Sequence, residues 1–134
     1  MTRLVSLVLV VRNLERALTV YEAGLGFERV EAPSDVPSLG ARHIFLRADN
    51  CMLELLEPHD ETMPPGLFLR ARGEGVFSIA VGVDDPVAAR DRLRQAFVEV
   101  RGVPGEQKRV FVRPNDAHGV LVEVNPLGAP PASG

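Results

Sequence analysis

Two glutamates stand in matching surroundings: Glu54 in LELLEP and Glu123 in LVEVNP. Each lies inside an apolar run that ends at a proline, so burial and pairing will set its charge. Two such carboxylates offer three kinds of chemistry. With one of them protonated they form an acid/base pair, with both ionised they hold a divalent cation through oxygen, and with arginines and hydroxyls they form a structural network. Upstream of each glutamate lies a second matched pair, His43 in RHIFLR and Arg109 in KRVFVR. An imidazole titrates near neutrality and is the commonest general base, whereas a guanidinium is a fixed cation suited to clamping anions. A third pair, Ser6 and Ser78, opens SLVLVVRNLERAL and SIAVGVDDPVAAR. The other histidines sit in turn-rich segments, His59 after ELLEP and His118 in AHGV, and read as structural.

The pairs recur because the chain repeats, and the repeated elements must position them. Ser6, Val11, Asn13 and Ala17 align with Ser78, Val83, Asp85 and Ala89. HIFLR aligns with RVFVR, and CMLELLEP with GVLVEVNP. The run Leu4–Val11 is rich in valine and leucine and reads as a buried strand. Asn13 caps a helix expected over Leu14 to Ala23, stopped by Gly24 and Gly26. Asp85 with Pro86 starts its counterpart, in which Val87, Leu93 and Phe97 fall near one stripe. Strands are expected around Phe27–Glu31, Arg42–Ala48, Cys51–Leu56, Glu99–Arg101, Arg109–Arg113 and Gly119–Val124. The joining segment carries a Pro-Pro break and one short helix, Gly66–Arg72. Strand alternation puts His43, Phe45 and Arg47 on one face, and Arg109, Phe111 and Arg113 on another. Met52 shares a face with Glu54, Leu121 with Glu123, and Val76, Ala80 and Gly82 with Ser78.

This order, β-α-β-β-β twice, is an α+β arrangement of two tandem modules. A single domain is expected over residues 1–126, with module one at about 1–58, a linker at 59–74, module two at about 75–126 and a disordered tail at 127–134. A chain of 134 residues with 46% hydrophobic side chains is long enough to bury one core. A net charge of -3 with scattered arginines gives no footprint for nucleic acid. Cys51 is the one cysteine, which fits a reducing compartment, and the apolar run near the start is too short to span a bilayer. A cytoplasmic protein is expected, with neither nucleic acid nor membrane as its partner.

The duplicated order and three particular strings, ELLEP, FLRARGEGVFSIAVGVDD and HGVLVEVNP, resemble the vicinal oxygen chelate superfamily of glyoxalases, bleomycin-resistance proteins and dioxygenases. The likeness runs from Leu4 to about Asn125 and is strongest toward the methylmalonyl-CoA epimerase branch. It implies a U-shaped, partly closed β barrel whose halves come from the two modules, formed within one chain or across a homodimer. It also implies a cleft with a divalent metal held from the first and last strands of each copy. The last-strand positions fall on Glu54 and Glu123, the metal candidates here. The first-strand positions, usually histidine, fall on Ser6 and Ser78, whose neutral hydroxyls are poor ligands for Zn²⁺, Co²⁺ or Ni²⁺. The remaining oxygen set suits Mg²⁺ or Ca²⁺ better, so the expectation is no cofactor or a weakened divalent site. His43 falls where that branch commonly has a glutamate that helps to move an α-proton.

The resemblance implies proton transfer next to a carbonyl, an isomerase or lyase chemistry on a small molecule such as an acyl thioester. Glu123, Glu54 and His43 are the catalytic candidates, and Ser6, Ser78 and Arg109 the substrate-binding ones. Two alternatives stay open: a metal-independent binding protein of the bleomycin-resistance kind, and a metal-independent enzyme of specialised metabolism.

Overall fold

The computed structural model describes the backbone of residues 1–103 and 106–129, and the side chains of all of these except 103 and 106–108. The chain divides into two compact units. The first is Leu7–Phe77. The second joins Met1–Ser6 to the chain from Ser78 onward. The units therefore group residues differently from the sequence-read modules, since residues 59–74 go with the first and the opening strand is shared.

In the first unit, β1 (Thr2–Val10) runs in from the second and leads to Asn13, whose side chain accepts a hydrogen bond from Arg16 N at 2.9 Å. That caps α1 (Leu14–Leu18), which widens into a π-helical turn over Thr19–Gly24 instead of continuing as one α-helix to Ala23. The widening begins at the β-branched pair Thr19 and Val20, whose side chains crowd a regular turn, and it is closed by Leu25 N donating to Val20 O. Next come β2 (Glu28–Arg29), β3 (Ser34–Val36), a 3₁₀ turn at Pro37–Leu39, β4 (Ala41–Arg47) and β5 (Met52–Pro58). β3 is a strand the sequence did not announce. Both β2 and β3 pair antiparallel with β4, and β4 pairs with β5 along its whole length. α2 (Pro64–Arg72) starts two residues earlier than expected, because Pro64 and Pro65 fall in its first turn, where no intrahelical N–H is needed. The proline pair opens that helix rather than breaking the chain.

Alternation along β4 and β5 sorts this unit into two faces. Ile44, Leu46, Leu53 and Leu55 pack with Leu14 and Leu18 beneath α1. The opposite face carries Ala41 and Leu56, packed with Val10, Phe68, Leu69 and Phe77. Between these apolar residues, on the same face, lie His43 and Glu54.

The second unit repeats the plan. β6 (Gly75–Val83) leads to Asp85, whose carboxylate accepts from Val87 N and Ala88 N at 3.0 and 3.1 Å, and so to α3 (Pro86–Gln95). Then follow β7 (Val100–Val103), β8 (Glu106–Val112) and β9 (Leu121–Pro126). β9 pairs parallel with β6 and antiparallel with β8, and β8 pairs with β7. Val83, Val110 and Val124 pack against Ala89 of α3. The expected α3 stripe is not what is buried: Val87 is exposed, and Phe97 is 97% exposed with φ of 63°. The helix ends at Gln95, and Phe97 occupies the left-handed position just past it that usually falls to glycine. β9 starts later than expected because His118 and Gly119 take positive φ and form a turn. Of the tail expected at 127–134, Leu127 and Gly128 form a turn tied back by Leu127 N to Val83 O, and residues beyond 129 lie outside the described ones.

Candidate functional site

His43 and Glu54 come together in the first unit. Phe45 is directly opposite Glu54 in the β4–β5 register, so His43 meets Glu54 diagonally, one pleat along. Nδ1 of His43 lies 2.6 Å from Oε2 of Glu54, and both residues are buried. With Glu54 as a carboxylate, the shared hydrogen belongs to Nδ1, and Nε2 keeps its lone pair. In that arrangement the carboxylate holds the orientation of the ring and leaves Nε2 as the nitrogen open to a partner. The ring of Phe45 stands edge-on to the imidazole at 5.3 Å and closes off that side. Burial of such a pair costs solvation that only good geometry recovers, so the pair is a specific feature rather than a cheap stabiliser.

Arg109 and Glu123 come together in the second unit by the same geometry. Phe111 is opposite Glu123, and Arg109 reaches Glu123 diagonally, with Nη1 3.5 Å from Oε1. Both side chains are largely buried, at 12% and 8% exposure. They share the face turned away from α3 with Ser78, Ala80 and Gly82, because parallel register pairs Ser78 with Leu121, Ala80 with Glu123 and Gly82 with Asn125. Ala80 offers only a methyl group beside Glu123. Ser6 also belongs to the second unit and is buried, whereas Ser78 is partly open. The structure therefore brings four of the sequence-predicted residues together in two pairs that the sequence did not announce, histidine with glutamate and arginine with glutamate, each within its own unit. The two glutamates do not need each other as partners. The loop histidines take structural contacts: His59 Nε2 lies 2.8 Å from Asp35 Oδ1, and His118 sits in the turn before β9.

A divalent transition metal, which the resemblance implies, does not fit these donors. Glu54 is engaged by an imidazole and Glu123 by a guanidinium that would repel a cation. By the resemblance, hydroxyls rather than imidazoles fall at the two remaining ligand positions. Among the described residues no three His, Cys, Asp or Glu side chains group as a metal would need. Cys51 offers no softer route, since burial pushes its thiol up from the ordinary value and keeps it protonated.

Two further residues matter that sequence reasoning did not single out. Glu57 Oε2 accepts from Leu14 N at 2.7 Å, tying the start of α1 to β5. Asn125 is fully buried, and among the described residues neither its Nδ2 nor its Oδ1 has a hydrogen-bond partner. Strand register rather than the sequence repeat gives its counterpart as Leu56, opposite His43 in the first unit: an amide stands where the other unit has leucine.

Comparison with known proteins agrees with the fold. The profile of the Glyoxalase/Bleomycin resistance protein/Dioxygenase superfamily matches residues 3–124. Ethylmalonyl-CoA/methylmalonyl-CoA epimerase from Cereibacter sphaeroides is 38% identical over 130 residues, covering 91% of this chain and 96% of that protein. The mitochondrial methylmalonyl-CoA epimerase of Homo sapiens is 30% identical over 128 residues, covering 91% of this chain and 72% of its own. Among solved structures, a methylmalonyl-CoA epimerase in complex with methylmalonyl-CoA and NH4+ matches with a TM-score of 0.75 at 30% identity over 96% of each chain. With its α+β, glyoxalase-like fold and a match along nearly all its length, the chain belongs to the Glyoxalase/Bleomycin resistance protein/Dioxygenase superfamily and resembles the methylmalonyl-CoA epimerases within it.

Proposed function

We propose that this protein moves a proton at the carbon next to the carbonyl of an acyl thioester, as an epimerase acting on a coenzyme A ester of the methylmalonyl type. The observation that carries this reading is the buried His43–Glu54 pair, supported by relatives named for methylmalonyl-CoA and ethylmalonyl-CoA. In the proposed step the α-carbon–hydrogen bond breaks and its proton passes to Nε2 of His43. The electron pair left behind forms the carbon–carbon double bond of an enolate, and the carbonyl pair moves onto oxygen. Return of the proton to the other side of the carbon inverts it. In the second unit Glu123 is the alternative candidate for the base, and Ser6, Ser78 and Arg109 are the candidates for holding the substrate. Location in the cytoplasm and assembly as a homodimer belong to the same proposal.

Exchange of the α-proton for deuterium, followed by mass spectrometry over a panel of acyl-CoA esters, tests it. Wild type should exchange at least one α-carboxyacyl-CoA, and His43→Gln should slow that exchange by about 10²-fold or more. Exchange that survives in His43→Gln and disappears in Glu123→Gln would assign the base to Glu123. Tight binding of one compound with no exchange anywhere would favour a binding protein without chemistry.

A further inference from the structure

Beside its arginine–glutamate pair the second unit carries one more polar residue where the first has leucine. Arg109 stands beside Glu123, and two residues along the same face of β9 is Asn125, whose amide is buried without a partner among the described residues. Continuing the antiparallel register past Val110 and Val124 brings Arg109 opposite Asn125. The matching residue in the first unit, Leu56, is an ordinary member of its core. The neighbour of Asn125 on β6 is Gly82, and a side chain added to Gly82 would meet Leu127 and Val5 at 3.1 and 3.4 Å. Leucine would suit that position at no cost in hydrogen bonds. An amide kept there in its place loses stability unless some polar group reaches it.

We propose that Arg109 and Asn125 form an oxygen-binding subsite for an α-carboxyacyl thioester, and that the guanidinium, rather than a metal ion, takes up the charge that develops on the thioester oxygen. The inference rests on the proposed proton transfer. A planar guanidinium carries five N–H donors in a fixed fork, so it can hold two neighbouring oxygens, the carboxylate and the thioester carbonyl, while still in contact with Glu123. Asn125 supplies one more N–H from Nδ2. As the α-proton leaves, charge grows on the thioester oxygen, and a donor already aimed there in a shielded place lowers the barrier. Arg109 only donates hydrogen bonds and neither gains nor loses a proton.

Three readouts test the subsite: deuterium exchange into methylmalonyl-CoA, calorimetric binding of malonyl-CoA against propionyl-CoA, and melting temperature. Wild-type exchange should be unchanged after chelator treatment and dialysis, and unchanged by added Co²⁺. Arg109→Ala should slow exchange by about 10²-fold, with partial rescue by free guanidinium ion, and Arg109→Lys should not restore the rate. Where Arg109→Ala fails to fold because Glu123 is left bare, Arg109→Leu with Glu123→Gln replaces it and is read by malonyl-CoA against propionyl-CoA binding alone, since Glu123 is itself a candidate base. Asn125→Leu should raise the melting temperature by about 3 °C or more while weakening malonyl-CoA binding about tenfold. Loss of exchange to chelator with recovery on Co²⁺, or full activity in Arg109→Ala, would overturn the proposal. So would unchanged malonyl-CoA affinity in Asn125→Leu, which would leave the amide to a buried water alone. If wild type exchanges no thioester, the proposed function fails by itself. The subsite then stands on preference for malonyl-CoA over propionyl-CoA that disappears in Arg109→Ala, and falls if the two bind equally.

Discussion

At the scale of single residues, the proposed proton transfer gives the bond between Glu54 and His43 two separable tasks. The bond orients the imidazole, and it stabilises the charge the ring gains with a proton. Glu54→Gln keeps the size and an acceptor oxygen, so the orientation survives and the charge stabilisation does not. Exchange should fall by about 10²-fold or more while melting hardly changes. Glu54→Leu removes the acceptor and leaves a buried Nδ1–H alone, which should cost about 1–3 kcal/mol of stability as well. Paired exchange and thermal denaturation measurements distinguish the two, and wild-type exchange in Glu54→Gln would remove His43 as the proton carrier. The four residues of these pairs were legible in the sequence, because each sits in a matched string of the repeat. What stayed hidden was who pairs with whom. The diagonal from His43 to Glu54 depends on β4–β5 register, which alternation narrows to a face but does not fix. Asn125 was hidden for a different reason: a single polar residue in a strand is ordinary until the fold shows that no described residue reaches it.

At the scale of elements, caps and strand runs were the legible part. Asn13 and Asp85 start α1 and α3 as their side chains dictate, with hydrogen bonds of 2.9 to 3.1 Å to the first-turn amides. Ends were less legible, because they depend on tertiary packing: the π turn after α1, the early start of α2 and Phe97 beyond α3 all differ from the periodic reading. The linker shows what such packing requires. His59 N and Asp60 N both donate to Gly40 O, at 2.8 and 3.1 Å, and the Asp60 carboxylate is held below its ordinary value first by the Thr62 hydroxyl and then by the Thr62 amide. The turn so formed lies against the first turn of α2 at Gly66. A methyl group on Gly66 would fall 2.2 Å from Asp60 O and 2.9 Å from Glu61 Cα, both backbone atoms that cannot step aside. Gly66→Ala should therefore cost about 3 kcal/mol or more, a fall of roughly 10 °C in melting temperature. Gly102→Ala is the control, since nothing lies within 4 Å of its added carbon. Equal melting of the two variants would show that α2 is not seated on this turn.

At the scale of the whole molecule, the sequence reads as two copies in series, yet the second unit is not one continuous stretch. It takes Met1–Ser6 from the far end of the chain. The six residues are tied there by more than proximity. The amino terminus forms an ion pair with Asp84, Ser6 is buried, and Val5 covers the position of a side chain at Gly82. Such a contact spans most of the sequence, and its closure is favourable only once both partners are ordered. The surface pair at the terminus is worth little, being exposed and screened by salt. Burial of Ser6 and Val5 against β6 is the larger effect. Deletion of Met1–Ser6 should then loosen the second unit selectively. Hydrogen exchange should quicken at the amides of Ser78–Val83 and along β9, next to the strand that loses its cover, while the amides of β4 and β5 keep their protection. Uniform quickening across both units would mean that they unfold as one, and unchanged exchange on β6 would mean that the opening residues contribute no structure to the unit that holds Arg109 and Glu123.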